Sequence, residues 1–164
     1  MKKDASLRHL DQFIRDVWVE CCGHLSLFKA DGDIYSSNCR QMSGRSMNAK
    51  IRDVLEKTDR IEYVYDMGTP TELLAEVVGE IELPPRRTKM ALLAENFMPK
   101  YKCIRCGKRA DFVFRPGMEP VAKAVYCEKC VMEDEELADC MLPLINSPRT
   151  GVCGYGMWFG DDEE

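Results

Sequence analysis

Two cysteine pairs constrain this chain more than any other feature. Cys103 and Cys106 flank two residues in "YKCIRCGKRADF", and Cys127 and Cys130 repeat that spacing in "VYCEKC" after 20 intervening residues. Four thiolates in a C-x2-C-x20-C-x2-C pattern suit a tetrahedral zinc ribbon, in which each pair forms a knuckle and the intervening chain returns as a hairpin. Gly107 follows the first pair, where a tight turn favours positive φ. "ADFVFR" alternates, "RPGMEP" supplies a turn and "AKAVY" leads back to the second pair. The expected ligands are Cys103, Cys106, Cys127 and Cys130, holding one structural Zn2+ per chain. A short insertion with little apolar core would draw much of its folding energy from that ion.

Other uses of the cysteines fit less well. A thioredoxin-like CxxC stands alone where a helix follows a strand, whereas here two pairs sit on a hairpin. Nine cysteines cannot all pair, and CxxC motifs in a reducing compartment are more economically metal ligands. A catalytic zinc needs an open coordination position, which four thiolates close, and no neighbouring His or Glu is placed to act as base.

Charge is distributed unevenly over the net −5. Residues 100–130 carry 8 basic and 3 acidic side chains, whereas residues 131–164 carry 1 basic and 9 acidic. Lys102, Arg105, Lys108, Arg109 and Arg115 decorate the expected ribbon, with Tyr101, Phe112 and Phe114 interleaved. Such a surface could neutralise phosphates and stack on unpaired bases. Equally, the aromatic residues could pack the ribbon while the charges solvate it, with the acidic stretch 133–139 covering the patch.

Elsewhere the pattern is that of a folded domain. Leu7, Leu10, Ile14, Val17, Trp18 and Cys21 recur at helical spacing, Asp4 or Ser6 can cap the helix, and Gly23 can end it. Asp11 and Arg15 form an i,i+4 pair. "HLSLFKADGDIYS" reads as a hairpin turning at Asp31-Gly32-Asp33, and Ser46 can cap a short helix carrying Met47, Ile51, Val54 and Leu55. "TPTELLAEVVGEIEL" fits either a helix capped at Thr69 or a strand, and "KMALLAEN" reads as a buried strand. No apolar run approaches the roughly 18 residues of a membrane span, and the first ten residues lack the apolar stretch of a secretory signal. The expected location is cytoplasmic.

"LRHLDQFIRDVWVECCGHLSLF", "IEYVYDMGTPTEL" and "LPLINSPRTGVCGYG" follow one another in an order that resembles the family named after the third open reading frame of an Ri plasmid, also described as insertion-element passenger proteins. The likeness covers residues 5–100 and 137–159. It implies an α+β fold, with an N-terminal helix, a mainly antiparallel sheet and the zinc-ribbon hairpin inserted. It also favours a strand over 71–83 and implies no particular reaction. Two stretches differ from the family's form: "DMGTPTEL" replaces a Gly-Asp-aromatic turn, and "SPRTGVCGY" replaces a Pro-Pro-Glu-Asp type of loop. The passenger label evokes a resolvase, but the sequence has no Tyr-x-Arg-x-Ser stretch of the kind serine recombinases use.

The resulting expectation is a host domain over 1–100 and 131–160, a ribbon over 101–130, and a disordered acidic tail over 161–164. Arg149, Tyr155 and Trp158 in the closing loop are candidates for a ligand rim, and the glycines at 151, 154 and 156 allow close backbone packing. Cys22, His24, Cys140 and Cys153 would form a second metal site if the closing loop packed on the end of the first helix; Cys21 reads as a small buried hydrophobe. The function expected is that of a non-enzymatic binding or adaptor module, whose basic ribbon contacts nucleic acid or a nucleic-acid-bound protein. Rival readings are an enzyme using loop 146–158 or the spare cysteines, and a protein-protein scaffold.

Overall fold

The computed structural model describes residues 1–82 and 88–157. Trp158 and the acidic tail lie outside the described residues. The chain is α+β and divides into two units, Met1–Glu95 and Asn96–Glu164.

The first unit grows from the N-terminal apolar stripe. Helix α1 (Leu7–Ile14) begins at Ser6, whose hydroxyl and backbone N–H both meet Nδ1 of His9, at 2.7 and 3.2 Å. The helix then widens into a π-turn over Arg15–Val19. One extra residue per turn shifts the stripe, so after Leu7, Leu10 and Ile14 it is Val19, not Trp18, that is fully buried. Strand β1 (Ser26–Ala30) pairs with β2 (Asp33–Ser36) across a two-residue Asp31-Gly32 turn, with Asp33 of the expected Asp31-Gly32-Asp33 turn already in the strand. Ser26, Phe28 and Ala30 form its buried face, while Leu25 and Leu27 are only half-buried.

Strands β3 (Arg45–Ser46), β4 (Arg60–Tyr65) and β5 (Thr71–Glu76) complete a sheet in the order β3-β2-β1-β4-β5, antiparallel except for β2–β3. Helix α2 (Ile51–Leu55) starts at Lys50 rather than Ser46, and it buries Ile51 and Val54 beside Met47. Fourteen buried residues from these elements make one core, with Phe28 against Tyr63 at a ring-centroid distance of 4.8 Å.

The strand reading of 71–83 holds only to Glu76. Beyond it Val78 and Ile81 are exposed, and Leu83 lies outside the described residues. The expected buried strand at "KMALLAEN" is not formed: Leu92 and Leu93 are exposed and carry no ladder bonds. Period-two spacing without a sheet edge to join does not make a strand.

In the second unit β6 (Phe112–Val113) pairs with β7 (Val125–Tyr126) as the ribbon hairpin, with a 3-10 turn over Val121–Lys123 before the return strand. A third strand, β8 (Leu142–Pro143), joins the other edge of β6, placing Leu142 opposite Val113. The segment after residue 130 thus falls in the same unit as the ribbon, whereas the expectation grouped 131–160 with residues 1–100. Helices α3 (Glu128–Met132) and α4 (Glu135–Ala138) connect the second knuckle to β8. The closing loop packs closely at Gly151, where a Cβ would lie 2.9 Å from Arg115 Cδ and 3.0 Å from a Val113 methyl.

Candidate metal centre

The four predicted ligands converge. The sulfurs of Cys103, Cys106, Cys127 and Cys130 all lie within 4.8 Å of one another, and those of Cys106 and Cys127 are 3.4 Å apart. A tetrahedral ion with metal–sulfur bonds near 2.3 Å needs sulfur separations of about 3.7 Å, so the set fits.

Local backbone explains the convergence. In the first knuckle Gly107 donates to the Cys103 carbonyl at 2.9 Å, and Cys103 donates to the Lys108 carbonyl at 2.7 Å. Gly107 has φ +75°, which L side chains adopt only at a cost. Ile104 donates to the Val125 carbonyl at 3.0 Å, tying this knuckle to the return strand. The second knuckle is built differently: Cys127 caps α3, and Cys130 lies within that helix one turn on. Three of the sulfur-bearing residues are buried and Cys106 is exposed, which closes the site on all sides but one.

The site's electrostatics call for a cation. Burial opposes ionisation of Cys103, but backbone N–H groups of Cys127, Cys106 and Arg105, with the Cys106 side chain, outweigh it and lower its pKa to about 6. Contact with the Cys106 side chain, then burial, then the Cys127 and Cys103 side chains, push Cys130 up to about 12. Four crowded thiols oppose one another's ionisation, so the cluster cannot carry four negative charges unaided. A divalent ion removes that conflict.

The basic residues separate into two groups. Arg105 is exposed but bonded within the unit: it donates to Asp134 at 2.5 Å and to the Cys130 carbonyl at 3.3 Å, and lies 5.7 Å above the Tyr126 ring. Arg115 is also structural, donating to the Glu119 and Thr150 carbonyls at 2.6 and 2.8 Å. Its expected role as a surface contact is corrected accordingly. Lys102, Lys108 and Arg109 are exposed, and the backbone of Lys102 pairs with that of Arg109 in an isolated antiparallel bridge across the knuckle. The interleaved aromatic residues turn inward, with Tyr101 packed on the cluster of Ala110, Val113, Ala124 and Val125, and Phe112 and Phe114 half-buried.

The candidate ligand rim does not assemble as expected. Arg149 is 0% exposed and cannot meet an incoming ligand from the surface. Tyr155 is half-buried, and Trp158 lies outside the described residues. Of the second cysteine-histidine group, Cys22 and His24 do meet: Cys22 Sγ lies 2.9 Å from His24 Nε2. Cys140 and Cys153 belong to the second unit.

The first unit also holds a polar network that sequence reading captured only as the Asp11–Arg15 pair. Asp11 accepts from Ser26 Oγ at 2.6 Å, Tyr63 OH at 2.8 Å and Arg15 Nε at 3.0 Å. Arg15 reaches on to Glu20 at 2.6 Å and to the His24 carbonyl at 2.7 Å, and Tyr65 OH donates to Glu20 at 2.8 Å. The tyrosine spacing in "YVY" was the available signal, since residues two apart in a strand share a face.

Among the described residues no helix is long and apolar enough to cross a membrane. In comparisons with known proteins, no family model, no curated protein and no solved structure matches the chain.

Proposed function

We propose that this is a zinc-ordered binding module that grips the phosphate backbone of nucleic acid through Lys102, Lys108 and Arg109. The reading is carried by one observation: these three exposed cations share the knuckle that also supplies two of the four sulfur ligands. A structural ion at that point would fix the loop bearing them, so the positive charge is presented on a rigid support. Four thiolates bound to Zn2+ leave residues 100–130 net positive, because 8 basic side chains oppose 3 acidic ones. Arg105, itself exposed, pairs with Asp134 and so takes one acidic group out of play, while Arg109 lies 3.9 Å from Asp111 in a loose, solvent-exposed pair.

The inward packing of Tyr101 narrows the mode of contact. Phosphate neutralisation, rather than base stacking, is the chemistry the exposed side chains offer, which implies little sequence preference. Binding would be non-catalytic, and the nucleic acid could carry other proteins that this module joins. Fluorescence anisotropy over a salt series, with single- and double-stranded DNA and RNA, tests the reading. Three neutralised phosphates predict a slope of log affinity against log salt of about −2 to −3. K102Q/K108Q/R109Q should abolish most binding while retaining zinc. Salt-insensitive binding, absent binding, or an unaffected triple variant would overturn it.

A further inference from the structure

The end of the first helix carries a second constellation of soft ligands. Cys22 Sγ lies 3.6 Å from Cys21 Sγ and 2.9 Å from His24 Nε2, and the three ligand atoms all fall within 4.8 Å of one another. Two thiolates on a tetrahedral ion stand about 3.7 Å apart, and a thiolate and an imidazole nitrogen about 3.5 Å. The sulfur pair already has the required separation. The Cys22–His24 contact needs to open by only about 0.6 Å to admit a metal between its atoms.

The chain is held in this shape by groups that are not themselves ligands. Gly23 takes φ +76° between the two cysteines and the histidine, and its N–H donates to Glu20 Oε1 at 2.6 Å. Arg15 fixes the His24 carbonyl at 2.7 Å, and the His24 N–H donates to Tyr65 OH at 3.3 Å. The Tyr65 hydroxyl also stands 3.8 Å from Cys21 Sγ, so a hydrogen-bonding group already faces that sulfur. The imidazole meets the Tyr65 ring edge-on at 5.6 Å, and Asp66 Oδ2 lies 3.6 Å from His24 Nε2, adding negative charge that favours a cation. Asp66 is positioned in turn by the Gly68 N–H and Thr69 Oγ1. Two sulfurs and an imidazole, oriented by a buried network, suit a borderline-soft divalent ion.

We infer that Cys21, Cys22 and His24 bind a second Zn2+, independent of the four-cysteine centre, so that the chain carries two metal ions rather than one. The three residues supply three ligands, and a thiolate or solvent from outside this group completes the tetrahedron. Cys21 is therefore a ligand rather than only a filler of the helix stripe.

Elemental analysis of the full chain, purified under reducing conditions, gives the first test. Two zinc equivalents are expected in the wild type, one in C106S and one in C22S/H24A. One equivalent in the wild type together with none in C106S would overturn the inference and leave the four-cysteine centre standing. The converse, one equivalent in the wild type retained by C106S and lost by C22S/H24A, would instead overturn the four-cysteine assignment.

Alkylation gives a readout that does not depend on stoichiometry or on the double variant folding. Trypsin releases residues 16–29 as one peptide that contains both Cys21 and Cys22. Stoichiometric Zn2+ should slow iodoacetamide labelling of that peptide about tenfold, because a metal-bound thiolate is a poor nucleophile. The single variant H24A should weaken this protection. Equal labelling with and without Zn2+ would refute the site. Cobalt substitution in C106S then identifies the fourth ligand: thiolate-to-metal absorption is stronger for three sulfurs than for two.

Discussion

The two units reach order by different physical routes. Met1–Glu95 has a core of fourteen buried residues beneath a five-stranded sheet, with a six-residue ladder between β4 and β5. Among its described residues the second unit has two-residue strands, and its main apolar cluster has Ala110, Val113, Ala124 and Val125 as buried members. Burying a valine stabilises by about 1.5–3 kcal/mol, whereas structural zinc in small peptides contributes roughly 10–16 kcal/mol. An ion held by the four cysteines would therefore contribute more to the second unit than its apolar core supplies, and its removal would take that away. The first unit is expected to stand without any metal.

Metal removal is the strongest way to break that contrast. In C106S, or after a chelator is added, amides bonded within the second unit should exchange at nearly the unprotected rate. Ala110, Phe114 and Leu144, which donate to Tyr101, Ala124 and Asp111 carbonyls at 2.9–3.1 Å, report this directly. Amides of β1 and β4 should keep their protection. Simultaneous loss in both units would show that the first also depends on the ion.

The next effect lies in the first unit, where a charge network centred on the buried Asp11 takes the place that an ion would take in the second. Asp11 is 5% exposed and accepts three hydrogen bonds, so Asp11→Ala leaves the Arg15 guanidinium without its nearest buried counter-charge. The expected loss is about 3–5 kcal/mol, read from urea denaturation. Exchange protection in the second unit should be unchanged. A loss below about 1 kcal/mol would mean that the network contributes little beyond its packing.

These contrasts also explain what could be read from the sequence. The four-cysteine cluster was legible because ligand spacing is a local property, set by bond lengths and turn chemistry. Helix α1 and the Asp31-Gly32 hairpin were legible for the same reason. The π-turn was not, because one inserted residue exchanges Trp18 for Val19 without altering the composition of the stripe. The third strand of the ribbon depends on Leu142 finding Val113, a pairing with no local signal. Cys21 was assigned to the stripe on periodicity and does pack against the core, but the π-turn ends before it and its sulfur also lies 3.6 Å from that of Cys22. Charge counting alone likewise could not show that Arg105 and Arg115 hydrogen-bond within the unit, Arg105 while remaining exposed, whereas Lys108 and Arg109 are exposed and Arg109 makes only the loose 3.9 Å pair with Asp111.

The smallest expected effect is a pH dependence confined to the first unit. Burial works against the Glu20 carboxylate, but donation from the Gly23 N–H, Arg15 and Tyr65 more than compensates and holds its pKa below the ordinary 4.5. A depressed carboxyl pKa stabilises the fold fully above the unfolded value and ceases to do so as pH falls through the folded one. Glu20→Gln should therefore lower the Tm of the first unit at pH 7. The gap should hold down to about pH 5 and close progressively as pH falls below 4.5. Because Glu20 is partly exposed, solvent and salt reduce the effect, so the gap should also shrink at high ionic strength. The second unit lacks this carboxylate network, and its unfolding should show no corresponding difference between wild type and variant. A gap that persists unchanged to pH 3 would mean that Glu20 acts through the shape of the loop it closes, with its charge incidental.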